Sequence, residues 1–220
     1  MKTIRCYFDP ISPYAALAFW RLPEQLAGRH VVIDYVPILF AALLKAHGSK
    51  GPAEIDAKRA WTYRQVRWLA HNQGQRLELP ASHPFNPLPL LRLAWACARP
   101  GSTPSRWVVE QLFAHVWQSA GADAADPARL AELAARLAPQ RQASDDEAKA
   151  RLRDATDAAL AAGVFGVPSF EFEGRLFWGQ EALPMLAAAV DGDPWFAAGG
   201  DWDTAPARPV GVVRGSSGQG

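Results

Sequence analysis

Sulfur is scarce in this chain. Its 220 residues include two cysteines, Cys6 and Cys97, and two methionines. The cysteines stand far apart, in neither a C-x-x-C pair nor a zinc-ligand spacing, so a dithiol redox centre is excluded and both read as small, buried hydrophobes. The five histidines (His30, His47, His71, His83 and His115) show no close pairing, which argues against a metal enzyme. Charge of one sign is lacking too: the formal net charge is +1, which gives no long-range field toward nucleic acid or an anionic membrane. No apolar run approaches the roughly 18 residues of a membrane span. "MKTIRCYF" passes straight into a strand, without the basic and apolar regions of a signal peptide, so the expected location is the cytoplasm. There is no G-x-S-x-G and no Ser-His-Asp pattern to activate a serine nucleophile.

What is present is a globular composition, 49% hydrophobic and 20% charged, on a chain long enough for one domain or one domain with a large insertion. Residues 4–9 read as a strand, and Pro13 is placed to open a helix that Gly28 closes. Residues 31–38 read as a second strand, parallel to the first across that helix. A helical stretch follows. Residues 40–47 and 54–72 are helices, the second with Trp61, Trp68 and Leu69 on its expected apolar stripe. Residues 89–98 form a third, and Thr103-Pro104 and Asp126-Pro127 are cap-plus-proline starts of two more. Ser144-Asp145-Asp146-Glu147 is a capping-box sequence that opens a helix running to Gly163. Residues 166–179 read as two strands turning at Glu173-Gly174, and residues 181–190 as a last helix. Beyond Asp191 the chain turns rich in Gly, Pro and Ala and is expected to be partly disordered.

The order β-α-β, helical block, α-β-β-α is that of an α/β thioredoxin-like fold (βαβ + ββα) with a large all-helical insertion. The expected division is a thioredoxin-like domain from residues 1–38 and 140–192, the insertion at 39–139, and a C-terminal extension at 193–220.

Three places could carry chemistry. Ser12, in "YFDPISPYAALAFW", sits at the carboxyl end of a strand and the mouth of a helix, where thiol–disulfide proteins of this layout carry C-x-x-C. It is an ordinary N-cap followed by Pro at N1, or it adds a hydroxyl donor to the helix amides in a cradle for a thiolate from outside. Val167-Pro168 opens a strand: a first-strand proline, or the cis proline that thioredoxin-like proteins carry facing the active-site helix. Gly179-Gln180-Glu181 begins the last helix. Its acid complements the helix dipole, or its amides and carboxylate together recognise an amino-acid end.

Four collinear stretches, "YFDPISPYAALA", "ALLKAHG", "PFNPLPLLRLA" and "GVFGVPSFEFEGRLFWGQEALPML", resemble the 2-hydroxychromene-2-carboxylate isomerases and the related kappa-class glutathione transferases. The resemblance covers residues 2–190. It implies glutathione as cofactor, with Ser12 stabilising its sulfur, Val167 and cis Pro168 pairing its peptide backbone, and Gln180 and Glu181 holding its γ-glutamyl end. Lys45 matches a lysine near the site, for glutathione or substrate, and Asn86 a polar residue on the substrate side. Without the resemblance, Lys45 is a solvated helix charge and Asn86 a turn residue. Glu181 departs from the family's usual aspartate by one methylene. The implied reaction is isomerisation of a conjugated aromatic carboxylate by reversible thiolate addition, rotation and elimination. Tryptophans and Lys45 could receive such a flat acid, with Arg59, Arg64 and Arg67 more simply a solvated face. The implied oligomer is a homodimer. A kappa-like conjugating transferase and a non-catalytic thioredoxin-like peptide-binding module are the alternatives.

Overall fold

In the computed structural model, which describes residues 1–204, β1 (Lys2–Phe8) pairs in parallel with β2 (Val31–Pro37), Cys6 opposite Tyr35. On its other side β1 runs antiparallel to β3 (Ser169–Phe172), and β4 (Arg175–Trp178) completes a four-stranded sheet of order β2-β1-β3-β4. A parallel pair needs a crossover, here α1 (Pro13–Gln25). The β3–β4 turn needs two left-handed residues, and Glu173 and Gly174 adopt φ of +50° and +75°. This is the thioredoxin-like βαβ + ββα sheet. β1 is buried on both faces: Ile4, Cys6 and Phe8 enter one apolar cluster, Tyr7 another.

Between β2 and α7 (Asp146–Ala161) lie α2 (Phe40–Ala46), α3 (Asp56–Asn72), α4 (Leu88–Cys97), α5 (Arg106–Trp117) and α6 (Pro127–Leu137). α5 starts two residues later than Thr103-Pro104 suggests, with Ser105 accepting from the Val108 N–H at 3.4 Å. Asp126 caps α6 as expected, accepting from the Arg129 N–H at 2.9 Å. Leu90, Leu93, Val109, Leu112 and Phe113 from α4 and α5 join the cluster of Ile4, Phe8 and Phe170, so the inserted helices and the sheet share one core.

The face of α3 is not the expected one. Its buried residues are Thr62, Val66 and Ala70, whereas Trp61 and Trp68 are 62% and 61% exposed. Val66 and Ala70 pack on Leu17 of α1, and small side chains let the two helices approach closely where indoles would hold them apart. Leu69 lies at the edge of this contact.

The helix expected at residues 181–190 is α8 (Leu183–Asp191), preceded by a 3₁₀ turn, Gln180–Ala182. A further 3₁₀ turn (Pro194–Phe196) and α9 (Asp201–Thr204) bring Phe196 and Trp202 to the Phe177 ring, with centroids 5.8 and 5.4 Å away. The rest of the expected extension, 205–220, lies outside the described residues. Both cysteines are free; burial pushes Cys6 up to about 12 and Cys97 up to about 11. Among the described residues no helix is long and apolar enough to cross a membrane.

Candidate functional site

β1 ends at Phe8, and the next four residues form a loop whose backbone groups are held from several directions. Asp9 is fully buried; its Oδ1 accepts from the Ile11 N–H and its Oδ2 from the Phe40 N–H, both at 3.0 Å. The second bond ties the start of α2 to the loop. The Ser12 N–H donates to the Asp9 carbonyl at 3.0 Å. The Pro10 carbonyl accepts from the Trp117 indole at 2.8 Å, and the Ile11 carbonyl lies 2.8 Å from Nε2 of His83. Burial pushes the Asp9 carboxyl up to about 7, against the pull of its two backbone donors.

Ser12 makes two contacts through its hydroxyl. It is the N-cap of α1, with Oγ accepting from the Ala15 N–H at 3.2 Å, and Pro13 follows in the first turn. The same Oγ donates to the Val167 carbonyl at 3.3 Å, across from the helix mouth. The Val167–Pro168 bond is cis. No acidic residue occupies the first turn of α1, so the positive end of the helix is not neutralised from within.

From Val167 the chain enters β3, and the Pro168 carbonyl accepts from the Gly179 N–H at 2.9 Å, which draws the end of β4 to the same place. Gly179 has φ +89°, and a Cβ there would lie 2.6 Å from the Glu181 carboxylate. Glu181 therefore folds back over Gly179, a position only glycine allows. Its charge reaches Tyr14: burial pushes the Tyr14 hydroxyl up, Thr62 opposes that, and Glu181 adds to it. Gln180 is buried, its Oε1 accepting from Gln73 Nε2 at 2.9 Å; Oε1 of Gln73 is itself buried without a partner. Beside the cis bond, the Phe165 and Trp178 rings pack at a 60° tilt with centroids 4.9 Å apart, 47% and 52% exposed. Gly166 passes beneath that indole, where a Cβ would lie 2.6 Å from Nε1.

Ser12, Val167 and Pro168 thus meet at the mouth of α1, with Gln180 and Glu181 following through Gly179. Lys45 is exposed on the last turn of α2, with no hydrogen bond or ion pair among the described residues. Asn86 is also exposed and is engaged locally, its Oδ1 accepting from the Leu88 N–H at 3.1 Å at the start of α4. Arg59 is taken up by Asp56 at 2.6 Å, and Arg64 and Arg67 are exposed. Sequence reasoning missed Asp9, His83, Trp117 and Gln73. Asp9 stood inside the quoted stretch and could have been singled out as an acid in an apolar strand end; the others come from distant segments and left no local signal.

A parallel βαβ unit joined to a ββα unit, with a capped helix mouth facing a cis proline, defines a thioredoxin-like protein without the dithiol. The chain belongs to the DSBA-like thioredoxin domain family, whose profile matches residues 3–191, and sits there among the 2-hydroxychromene-2-carboxylate isomerases. It is 30% identical over 200 residues to the 2-hydroxychromene-2-carboxylate isomerase of Pseudomonas sp. (strain C18), covering 86% of this chain and 90% of that one. It is 23% identical over 215 residues to human glutathione S-transferase kappa 1, covering 88% of this chain and 92% of the relative. A solved 2-hydroxychromene-2-carboxylate isomerase superposes with a TM-score of 0.75 at 23% identity, covering 86% of this chain and 95% of that one. At family level the chain is an isomerase or transferase of this group.

Proposed function

We propose that the protein is a glutathione-dependent isomerase of a conjugated aromatic carboxylate of the 2-hydroxychromene-2-carboxylate type. The observation that carries the reading is the Ser12 hydroxyl held between the α1 amides and the Val167 carbonyl. The residues present fit the tripeptide. The Val167 carbonyl faces the helix mouth with the Ser12 hydroxyl on it, a buried amide oxygen of Gln73 awaits a donor beside Gln180, and Glu181 is held back at a glycine.

Val167 O, now accepting from Ser12, would accept a ligand peptide N–H instead. The Ser12 hydroxyl is then free to donate to a sulfur at the helix mouth, where the α1 amides add their partial positive charge. Gln180, Gln73 and Glu181 would hold the γ-glutamyl end, the carboxylate of Glu181 facing its ammonium group. Bound there, glutathione supplies a thiolate that adds reversibly to a conjugated carbonyl compound, opens a double bond to rotation and leaves as the bond re-forms. Phe165 and Trp178 would present an aromatic wall to a flat substrate, Lys45 a cation for its carboxylate, and Asn86 a polar contact on the same side. A cytoplasmic homodimer without nucleic-acid or membrane partners completes the reading.

Lowering a thiol from about 8.5 by roughly two units requires about 2.7 kcal/mol of preferential thiolate binding. A charge-assisted hydroxyl bond and a helix terminus together supply that order of energy. The test is calorimetric titration with glutathione in two buffers, for wild type and Ser12→Ala. Saturable binding with proton release in the wild type, and release lost in Ser12→Ala, is the expected result. Absence of binding at millimolar glutathione would sink the proposal. Conjugation, as the human relative's name implies, would use the same site; it consumes glutathione, and isomerisation does not.

A further inference from the structure

Behind Ser12 the loop is held by a histidine that no motif assigns. His83 lies in the segment between α3 and α4, packed edge-on against Trp117 at 5.5 Å and Phe85 at 6.2 Å. Its Nε2 is 2.8 Å from the Ile11 carbonyl, and its Nδ1 is 2.9 Å from the Tyr63 hydroxyl. A carbonyl can only accept, so Nε2 carries the proton; in the neutral ring Nδ1 is then an acceptor, and Tyr63 donates to it. The Tyr63 hydroxyl also lies 3.1 Å from the carbonyl of His83 itself. The chain Tyr63–His83–Ile11 therefore has one consistent direction of donation, from the inserted helices into the loop.

What this bond controls follows from the peptide planes. The plane joining Ile11 to Ser12 is held at its oxygen by His83 and at its N–H by the Asp9 carbonyl, 3.0 Å away. The preceding plane is held at the Pro10 oxygen by Trp117 and at the Ile11 N–H by the Asp9 carboxylate. These two clamped planes meet at Ile11 and fix its φ and ψ. The Ser12–Pro13 plane is held in turn at the Ser12 oxygen by the Ala16 N–H, 3.2 Å away, so φ of Ser12, here −89°, is set and with it the bond from which Oγ projects. We propose that His83, oriented by Tyr63, is a positioning residue that aims the Ser12 hydroxyl at Val167 and at the ligand sulfur. Released from His83, the Ile11–Ser12 plane can rotate, and Oγ leaves the line between the Ala15 N–H and the Val167 carbonyl. The proposal rests on the glutathione reading only for its second readout.

The experiment compares His83→Gln, His83→Leu and Tyr63→Phe with wild type by two measurements. The first is amide hydrogen exchange at Ile11 and Ser12; the second is the ultraviolet absorbance of thiolate formed on adding glutathione. One lost hydrogen bond of about 1 kcal/mol corresponds to roughly fivefold. His83→Leu is expected to speed exchange at both amides by about that factor or more and to cut the bound thiolate in parallel. His83→Gln, whose amide can still donate to the Ile11 carbonyl, is expected to recover most of both, and Tyr63→Phe to fall between. Wild-type exchange and wild-type thiolate in a folded His83→Leu would overturn the proposal. So would a folded His83→Gln as impaired as His83→Leu. If His83→Leu does not fold, wild-type exchange in Tyr63→Phe would overturn the role given to Tyr63. A wild type that forms no thiolate would overturn the glutathione reading instead, and the exchange comparison would still decide the clamp.

Discussion

Asp9 is wholly buried, and both carboxylate oxygens accept backbone N–H groups, one from the loop and one from the start of α2. Its folded value near 7 lies above the ordinary carboxylate value of about 3.9. Between the two the unfolded chain has lost the proton and the folded chain keeps it, so this group makes stability fall as pH rises from about 4 to about 7. His83 and His115, both held low chiefly by burial, act in the opposite sense: their contribution is full above about 6.5 and is lost as pH falls through their folded values. The difference between wild type and Asp9→Asn isolates the carboxyl. Urea midpoints of wild type relative to Asp9→Asn are expected to decline with rising pH across that window, and a flat difference would refute the buried proton. At Gly179, alanine meets both a left-handed φ and the Glu181 carboxylate. Gly179→Ala is expected to lose about 1–3 kcal/mol in denaturant unfolding and to weaken glutathione binding as Glu181 is displaced.

Among the elements, α3 shows where sequence patterns lead and where they stop. Its existence and end follow from composition, yet its inward face does not. Two tryptophans at heptad spacing look like core, but the partner surface is α1, and the contact at Leu17 admits Val66 and Ala70. The depth of a groove is set by the neighbouring helix, which a one-dimensional pattern does not contain. Val66→Ala is therefore expected to cost about 2 kcal/mol, and Trp68→Ala to stay within about 0.5 kcal/mol, by urea unfolding. The reverse order would return the tryptophans to the core. The sheet elements were more legible, because proline and glycine punctuate them: Pro13 opens α1 and Glu173-Gly174 turns the hairpin. Of the site, the local motif Ser12-Pro13 and the Val167-Pro168 pair were readable. The residues that aim them, His83 and Trp117, come from far along the chain.

For the whole molecule, the shared core decides how the inserted helices relate to the sheet. Trp117 is fully buried at the end of α5 and donates to the Pro10 carbonyl, while Phe113 packs against Phe8 at a 49° tilt with centroids 5.5 Å apart. We read the inserted helices and the sheet as one cooperative unit, so heating is expected to give a single calorimetric transition with matching van't Hoff and calorimetric enthalpies. Two separable transitions would show that the inserted helices fold apart. Trp117→Ala, which empties a site in that common core and frees the Pro10 carbonyl, is expected to lower the one transition by about 3–5 kcal/mol, with no new one appearing.

Cys6 is buried and Cys97 half-buried, and both are reluctant to ionise, which leaves the folded chain without a ready thiolate of its own. A chromogenic disulfide reagent added to a mixture of protein and glutathione should then count only the added tripeptide. The portion withheld from the reagent at each concentration becomes a direct tally of occupied sites, requiring neither a label nor an engineered background.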